Sequence, residues 1–124
     1  MITEHVVVTS TTDSEAAASS LATEAINAKL GSCAQVVEPI NSVYRWEGKV
    51  QKEQEWRVEI LTAADRVAAL TDYIKANHTY DVPEIIATPI TGGSVEFLAW
   101  LVDETRDAVL GGSDSAGGAL GGLS

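Results

Sequence analysis

The segment NHTYDVPEI, residues 77–85, contains the side chains best suited to chemistry. It places a histidine, a tyrosine and a glutamate in one short connection: His78, Tyr80 and Glu84. An imidazole and a carboxylate that converge near a loop can bind a metal ion or a small anion. No nucleophile paired with a base accompanies them in the sequence. The segment therefore predicts a binding or assembly protein, and we expect no catalysis.

Charge and composition limit the partners that the chain can have. Its 124 residues fit one domain, and its net charge of −10 includes only eight scattered basic residues. That balance disfavours nucleic acids and anionic membranes, which require clustered Lys and Arg. The apolar runs are too short to cross a bilayer, and no secretory signal is visible. With Cys33 as its single cysteine, the chain is typical of a reducing compartment, so we expect a cytoplasmic protein.

Hydrophobic periodicity predicts four strands and three helices. Asp13 or Thr12 is expected to cap the first helix at its start, and Gly31 to cap its end. Pro39 should bend the second strand, and Glu47 to Lys49 should form a hairpin turn with Gly48 in the middle. The predicted strands span 4–10, 33–46, 50–62 and 84–90, and the predicted helices span 14–30, 63–77 and 95–106.

This order of elements, βαββαβ followed by a helix, predicts an α+β protein of the ferredoxin-like class. Such a domain has an antiparallel sheet with two helices on one face. We assign residues 1–107 to this domain and residues 108–124, rich in Gly, Ser and Ala, to a flexible tail.

The predicted strands have apolar residues on both faces, although two helices cover only one. Val6 and Val8 alternate with Val7, and Ile85 is followed by Ile86. A sheet with one wet face should alternate apolar and polar residues. Self-association would bury the second face. The alternative is that short β-branched strands leave part of this surface exposed to water.

Five short motifs resemble those of the CutA family, the divalent-cation tolerance proteins. They are VVVTSTTDSEAA, LGSCAQVV, SVYRWEGKV, HTYDVPEIIATPI and FLAWL, which together cover about residues 6–104. The resemblance implies a ferredoxin-like subunit in a homotrimer whose long β-hairpins interlock. It also implies a role in tolerance of copper and other divalent metals, without an organic cofactor. The architecture further resembles the PII signal proteins, which bind small metabolites between subunits, but that likeness is only of fold.

The same resemblance implies three metal ligands, Cys33, His78 and Glu84, a set that suits Cu²⁺ or another divalent cation. Each has an alternative role. Cys33 can be a small buried apolar residue, and His78 can cap a helix end. Glu84 can accept a hydrogen bond or pair with a basic residue. The chain has Thr79 and Asp81 where the family usually has proline and glutamate, so His78 is expected to be held less firmly.

Five further residues in these motifs are candidates for a pocket or an interface. A lysine, several aromatic residues and Glu84 would form an amphipathic cleft at a subunit boundary. The alternative is that the aromatic side chains simply fill the trimer interface. The five residues are Tyr44, Trp46, Lys49, Tyr80 and Trp100.

Small residues dominate the outer faces of the first two helices. We hypothesise that these faces contact a second protein or build a larger assembly of trimers, although Ala-rich surfaces also arise from helix propensity alone. The residues are Ala16, Ala17, Ser20, Thr23, Asn27 and Ala28 on the first helix, and Ala64, Ala68 and Ala69 on the second.

Overall fold

A computed structural model describes residues 4–106, and the predicted tail at 108–124 lies outside the described residues. The described chain contains four strands and three helices in the predicted order, with one 3₁₀ turn before the second helix. The strands are β1 (His5–Thr12), β2 (Cys33–Trp46), β3 (Lys49–Ala63) and β4 (Ile86–Pro89), and the helices are α1 (Glu15–Asn27), α2 (Val67–Asn77) and α3 (Val95–Asp103).

The strands form one antiparallel sheet in the order β2-β3-β1-β4. The central pair, β1 and β3, runs in register from His5 opposite Ala63 to Thr12 opposite Trp56. β1 also pairs with β4, so the first and last strands of the chain are neighbours. This strand order confirms the predicted α+β, ferredoxin-like class.

The hydrophobic core lies between this sheet and the helices α1 and α2. Alternate residues of β1 and β3 point into it, as the period of two requires. Each fully buried Leu or Ile contributes roughly 1.5–3 kcal/mol relative to an exposed position. The fully buried members include Val8, Val58 and Ile60 from the strands, and Ala18, Ala25, Leu70 and Ile74 from the helices.

The ends of α1 differ from the prediction. The helix begins after Ser14, whose hydroxyl accepts a hydrogen bond from the Ala17 amide, so neither Asp13 nor Thr12 is the cap. It ends at Asn27, before the predicted Leu30, with Ala28 as its C-cap, and Lys29 takes a left-handed conformation with φ of 61°. The amide of Leu30 then bonds back to the Ala25 carbonyl, which closes a Schellman-type end without glycine.

Gly31 is needed for a different reason than the predicted cap. A side chain at this position would collide with Ile60 of the sheet and lie 3.3 Å from the Leu61 carbonyl oxygen. Only a residue without Cβ lets the connection between α1 and β2 lie this close to β3.

The other boundaries differ by a few residues. A 3₁₀ turn over Ala64–Arg66 precedes α2, and β4 covers only four residues of the predicted seven. Its residue Pro89 is at the end of an edge strand, as predicted. In α3, Leu101 is completely buried, while Phe97 and Leu98 are half-buried.

The hairpin formed by β2 and β3 is long, and its two halves differ in environment. The register shifts between Val37 and Ile40, around the predicted bend at Pro39. Beyond the shift the two strands pair to the tip, where Glu47 and Gly48 both have positive φ, as a tight two-residue turn requires. Among the described residues of this outer half, only Glu55 at its base is buried.

Candidate functional site

The connection between α2 and β4 begins with a histidine that is bonded on both sides of its ring. His78 follows α2, and its Nε2 lies 2.7 Å from the carbonyl oxygen of Thr11 at the end of β1. Its Nδ1 accepts a hydrogen bond of 3.0 Å from the Tyr80 amide. A carbonyl can only accept and an amide can only donate, so these partners select the neutral ring with its proton on Nε2. His78 occupies the C-cap position of α2, but within residues 4–106 its ring bonds to β1 and to its own loop and not to a carbonyl of α2.

Tyr80 fixes the same loop to the hairpin. Its hydroxyl donates a hydrogen bond of 2.8 Å to Oε2 of Glu55, whose side chain is only 7% exposed. Burial, and then this bond to a carboxylate, raise the pKa of Tyr80 above its ordinary value. The phenol therefore stays protonated and acts as a donor at neutral pH. The rings of His78 and Tyr80 also contact each other, with centroids 4.8 Å apart.

A second tyrosine–glutamate pair lies further out on the hairpin. The hydroxyl of Tyr44 donates to Oε1 of Glu53 over 2.7 Å, in an exposed position. This bond raises the pKa of Tyr44, with smaller contributions from burial and from the charges of Glu53 and Glu55. The two pairs thus have the same chemistry in two environments.

An open cleft of about 860 Å³ lies between the hairpin and the 79–84 loop. Its volume falls within the usual range for sites that bind small molecules. Three of the predicted pocket residues, Tyr44, Trp46 and Tyr80, line it. Four carboxylates also line it, and none of its lining residues is Lys or Arg: the acids are Glu53, Glu55, Asp81 and Glu84.

The other two predicted pocket residues lie elsewhere. Lys49 is exposed beside the hairpin turn, opposite Trp46, and does not line the cleft. Trp100 is on α3 and packs against Phe97, with ring centroids 5.4 Å apart. Its indole nitrogen is buried and has no hydrogen-bond partner among residues 4–106.

The three predicted metal ligands are not brought together in a single chain. Cys33 is half-buried and lies opposite Leu61 of β3, whereas Thr11, which holds His78, lies opposite Arg57. Four residues of strand separate these two levels by about 13 Å. Glu84 is exposed in the loop. In the described part of one chain, no three His, Cys, Asp or Glu side chains are grouped closely enough to hold a metal ion.

Glu53 and Glu55 belong to the site but were not predicted from the sequence. The signal was available in the hairpin register, because the Glu47–Gly48 turn fixes Ser42 opposite Glu53 and Ile40 opposite Glu55. Alternating residues then share one face, which places both carboxylates on the face that carries Tyr44 and Trp46. The fold of the 79–84 loop onto that face was not visible from the sequence.

Comparison with known proteins places this chain in a family. The profile of the family described as "CutA1 divalent ion tolerance protein" matches residues 6–104. The chain is similar to "Protein CutA 1, chloroplastic" of Oryza sativa, with 46% identity over 83% of this chain and 58% of the relative. It is also similar to the "Divalent-cation tolerance protein CutA" of Salmonella newport, with 38% identity over 81% of this chain and 87% of the relative.

Solved structures agree with the fold. The crystal structure of CutA1 from Oryza sativa superposes with a TM-score of 0.81 at 45% identity, covering 85% of this chain and 96% of that one. The chain spans less than two thirds of the plant relatives' length. Across residues 4–106, no helix is both long enough and apolar enough to cross a membrane.

Proposed function

Because the chain belongs to the CutA1 family of divalent-ion tolerance proteins, we propose that it is a homotrimer that binds divalent metal ions and acts in cation tolerance. The family match over residues 6–104, nearly all of the described chain, carries this proposal. The proposed ion is Cu²⁺, and the proposed role is non-catalytic, since the Salmonella relative is named for tolerance and not for a reaction. We propose the cytoplasm as its location, while the rice relative is named as chloroplastic.

Exposed apolar side chains on the hairpin support the trimer. Val43 is 63% exposed, Val50 59% and Trp46 45%. Burial of each such side chain against a neighbouring subunit would contribute roughly 1.5–3 kcal/mol. A hairpin that extends beyond its own core and carries these residues is suited to pack against another copy of the chain.

A metal site made from Cys33, His78 and Glu84 would need ligands from more than one subunit. The separation of Cys33 from His78 within one chain supports this requirement. Thiolate and imidazole are ligands that Cu and Zn prefer, and a carboxylate completes the set. His78 would have to release either Thr11 or the Tyr80 amide to present a ring nitrogen to the ion.

Calorimetric titration of the assembled protein with Cu²⁺ tests the ligands. We expect Cys33→Ala and His78→Ala each to weaken binding by at least about tenfold. His5→Ala is the matched control, because His5 is the only other histidine of the chain and is not in the proposed site. Unchanged affinity in the Cys33 and His78 variants, or an equal loss in the control, would show that the assigned ligands are wrong.

Sedimentation velocity tests the trimer. The natural sequence should sediment with three times the mass of one chain, and Trp46→Glu should shift it toward the single chain, because a charge would be buried in the interface. Lys75→Glu, an exposed change on α2, serves as the control. A compact, folded single chain at micromolar concentration would refute the trimer.

A second candidate function is that of a PII-like signalling or scaffold protein that binds a small ligand at its subunit boundaries. The open cleft of about 860 Å³ favours this candidate. The exposed small residues Ala68 and Ala69 of α2 are compatible with a second protein or a larger assembly. Native mass spectrometry that shows nothing larger than a trimer would exclude the larger assembly.

A further inference from the structure

The cleft contains a mostly buried glutamate with one free carboxylate oxygen. Glu55 is 7% exposed, and its Oε2 accepts the hydrogen bond from Tyr80. Among residues 4–106, no donor reaches its other oxygen and no basic side chain forms an ion pair with it. That oxygen is not among the buried side-chain atoms that lack a partner, so it is in contact with solvent. Glu55 lines the cleft, so a donor group of a ligand in the cleft can reach this oxygen.

The basic residues nearest in the hairpin do not supply a positive charge to the cleft. Arg45 and Lys52 pair in the alternate register, opposite Val50 and Val43, and do not line the cleft. Arg57 lies two residues beyond Glu55 on β3 and makes no ion pair within the described residues. Every charged residue that lines the cleft is therefore acidic, which would repel a nucleotide or any other anionic metabolite.

The size and the aromatic lining of the cleft are suited to an organic cation. A volume of about 860 Å³ is far more than a bare metal ion requires and is suited to an organic molecule. Tyr44, Trp46 and Tyr80 line the same space as the carboxylates. Aromatic faces attract ammonium and guanidinium groups, and carboxylates accept their hydrogen bonds.

We propose that this cleft binds a small organic cation bearing a primary ammonium or guanidinium group. The free oxygen of Glu55 accepts a hydrogen bond from the cation at the inner end, where Tyr80 already holds the other oxygen. Glu53 supplies a second negative charge further out, and Tyr44 covers the carbon chain. The inference rests on the second candidate function, ligand binding in the cleft, and specifies the chemical class of the ligand.

Calorimetric titration of the full chain with agmatine and with spermidine, at near-physiological salt, tests the proposal. ATP serves as the anionic probe. We expect both amines to bind saturably and ATP not to bind. Glu55→Gln retains the size of the side chain and an acceptor for Tyr80, and should weaken amine binding by on the order of tenfold. The matched control is Glu59→Gln on the same strand, outside the cleft lining, which should leave the affinity unchanged.

Each contrary result has a distinct meaning. Equal binding of the amines to the natural sequence and to Glu55→Gln would show only general attraction to an acidic protein and would overturn the proposal. Binding of ATP but of neither amine would preserve ligand binding in the cleft and refute the cationic class. If no probe binds, both the cationic class and the small-ligand function fail, while the Cu²⁺ titration judges the metal function separately.

A basic side chain from a neighbouring subunit is the competing partner for Glu55. If Glu55→Gln makes the protein sediment as a single chain while Glu59→Gln does not, the carboxylate serves subunit assembly. That result would overturn the ligand proposal.

Discussion

The inner and outer halves of the β2–β3 hairpin have the same secondary structure but very different environments. In the inner half, Val58 and Ile60 are fully buried against α1 and α2. In the outer half, Val43 and Val50 have more than half of their surface exposed. Antiparallel strands with β-branched residues are thus packed against helices at one end of the hairpin and exposed at the other. The inner half is therefore packed within one chain, whereas the outer half leaves apolar surface uncovered in the described residues.

The largest expected effect is at the inner half. Ile60→Ala would leave a cavity in the core and should lower the free energy of unfolding by about 3 kcal/mol. Val43→Ala in the outer half should change the unfolding free energy of a single chain by less than about 0.5 kcal/mol. Urea denaturation of both variants in the dissociated Trp46→Glu background measures both losses. Equal losses would mean that the two halves are equally packed within one chain.

A smaller loss of stability should follow from adding a methyl group at Gly31. The added methyl group of Gly31→Ala would collide with Ile60, and we expect a cost of about 1–3 kcal/mol. Gly92→Ala is the control, since no atom lies within 4 Å of the position its methyl group would take. Thermal unfolding of the two variants at equal protein concentration compares them. A stable Gly31→Ala protein would mean that the connection to β2 moves freely.

The two tyrosine–glutamate pairs differ in environment in the same way, one being mostly buried and the other exposed. Tyr80→Phe removes the one side-chain donor to Glu55 among residues 4–106 and should lower the unfolding free energy by about 1–3 kcal/mol. Tyr44→Phe removes the exposed bond to Glu53 and should leave stability nearly unchanged, because water replaces the donor. Chemical denaturation that finds the same loss in both would refute the difference in environment.

The smallest expected effect lies away from the hairpin, at an exposed ion pair. Arg106 donates two hydrogen bonds to Asp65 and lowers its pKa below the ordinary 3.8. A lowered pKa stabilises the fold above the ordinary value, and the contribution is lost as the pH falls from about 4 through the folded pKa.

Because the pair is exposed, its contribution should be about 0.5 kcal/mol. Asp65→Asn should therefore reduce stability slightly at neutral pH and flatten its decline in acid. Asp72→Asn, at an exposed position on α2, is the control for the general loss of a negative charge. Identical pH profiles of stability for the two variants would show that the Asp65–Arg106 pair does not contribute.

The order of the elements could be predicted from the sequence because each element has a local signal. Ser14 and Ser94 precede helices, Gly48 marks the hairpin turn, and the strands alternate around Val8 and Ile60. The short β4 and the end of α1 could not be predicted. Their limits depend on pairing with β1 and on the left-handed Lys29, which are tertiary and backbone effects.

The candidate site was only partly predictable for the same reason. The motif at 77–85 identified His78, Tyr80 and Glu84, but their partners Thr11 and Glu55 come from distant strands. The double hydrogen bonding of the His78 ring and the acidic lining of the cleft are properties of the folded chain. Both depend on contacts between residues that are far apart in the sequence.

The position of β2 at the border of the sheet has a consequence for solubility. Its 14 residues leave a long row of backbone donors and acceptors without a neighbouring strand in the described chain. Such a border can recruit foreign peptides or seed fibrils. Pro39 lacks an amide hydrogen and sits at the register shift, so it interrupts that row and prevents an invading chain from pairing along its whole length.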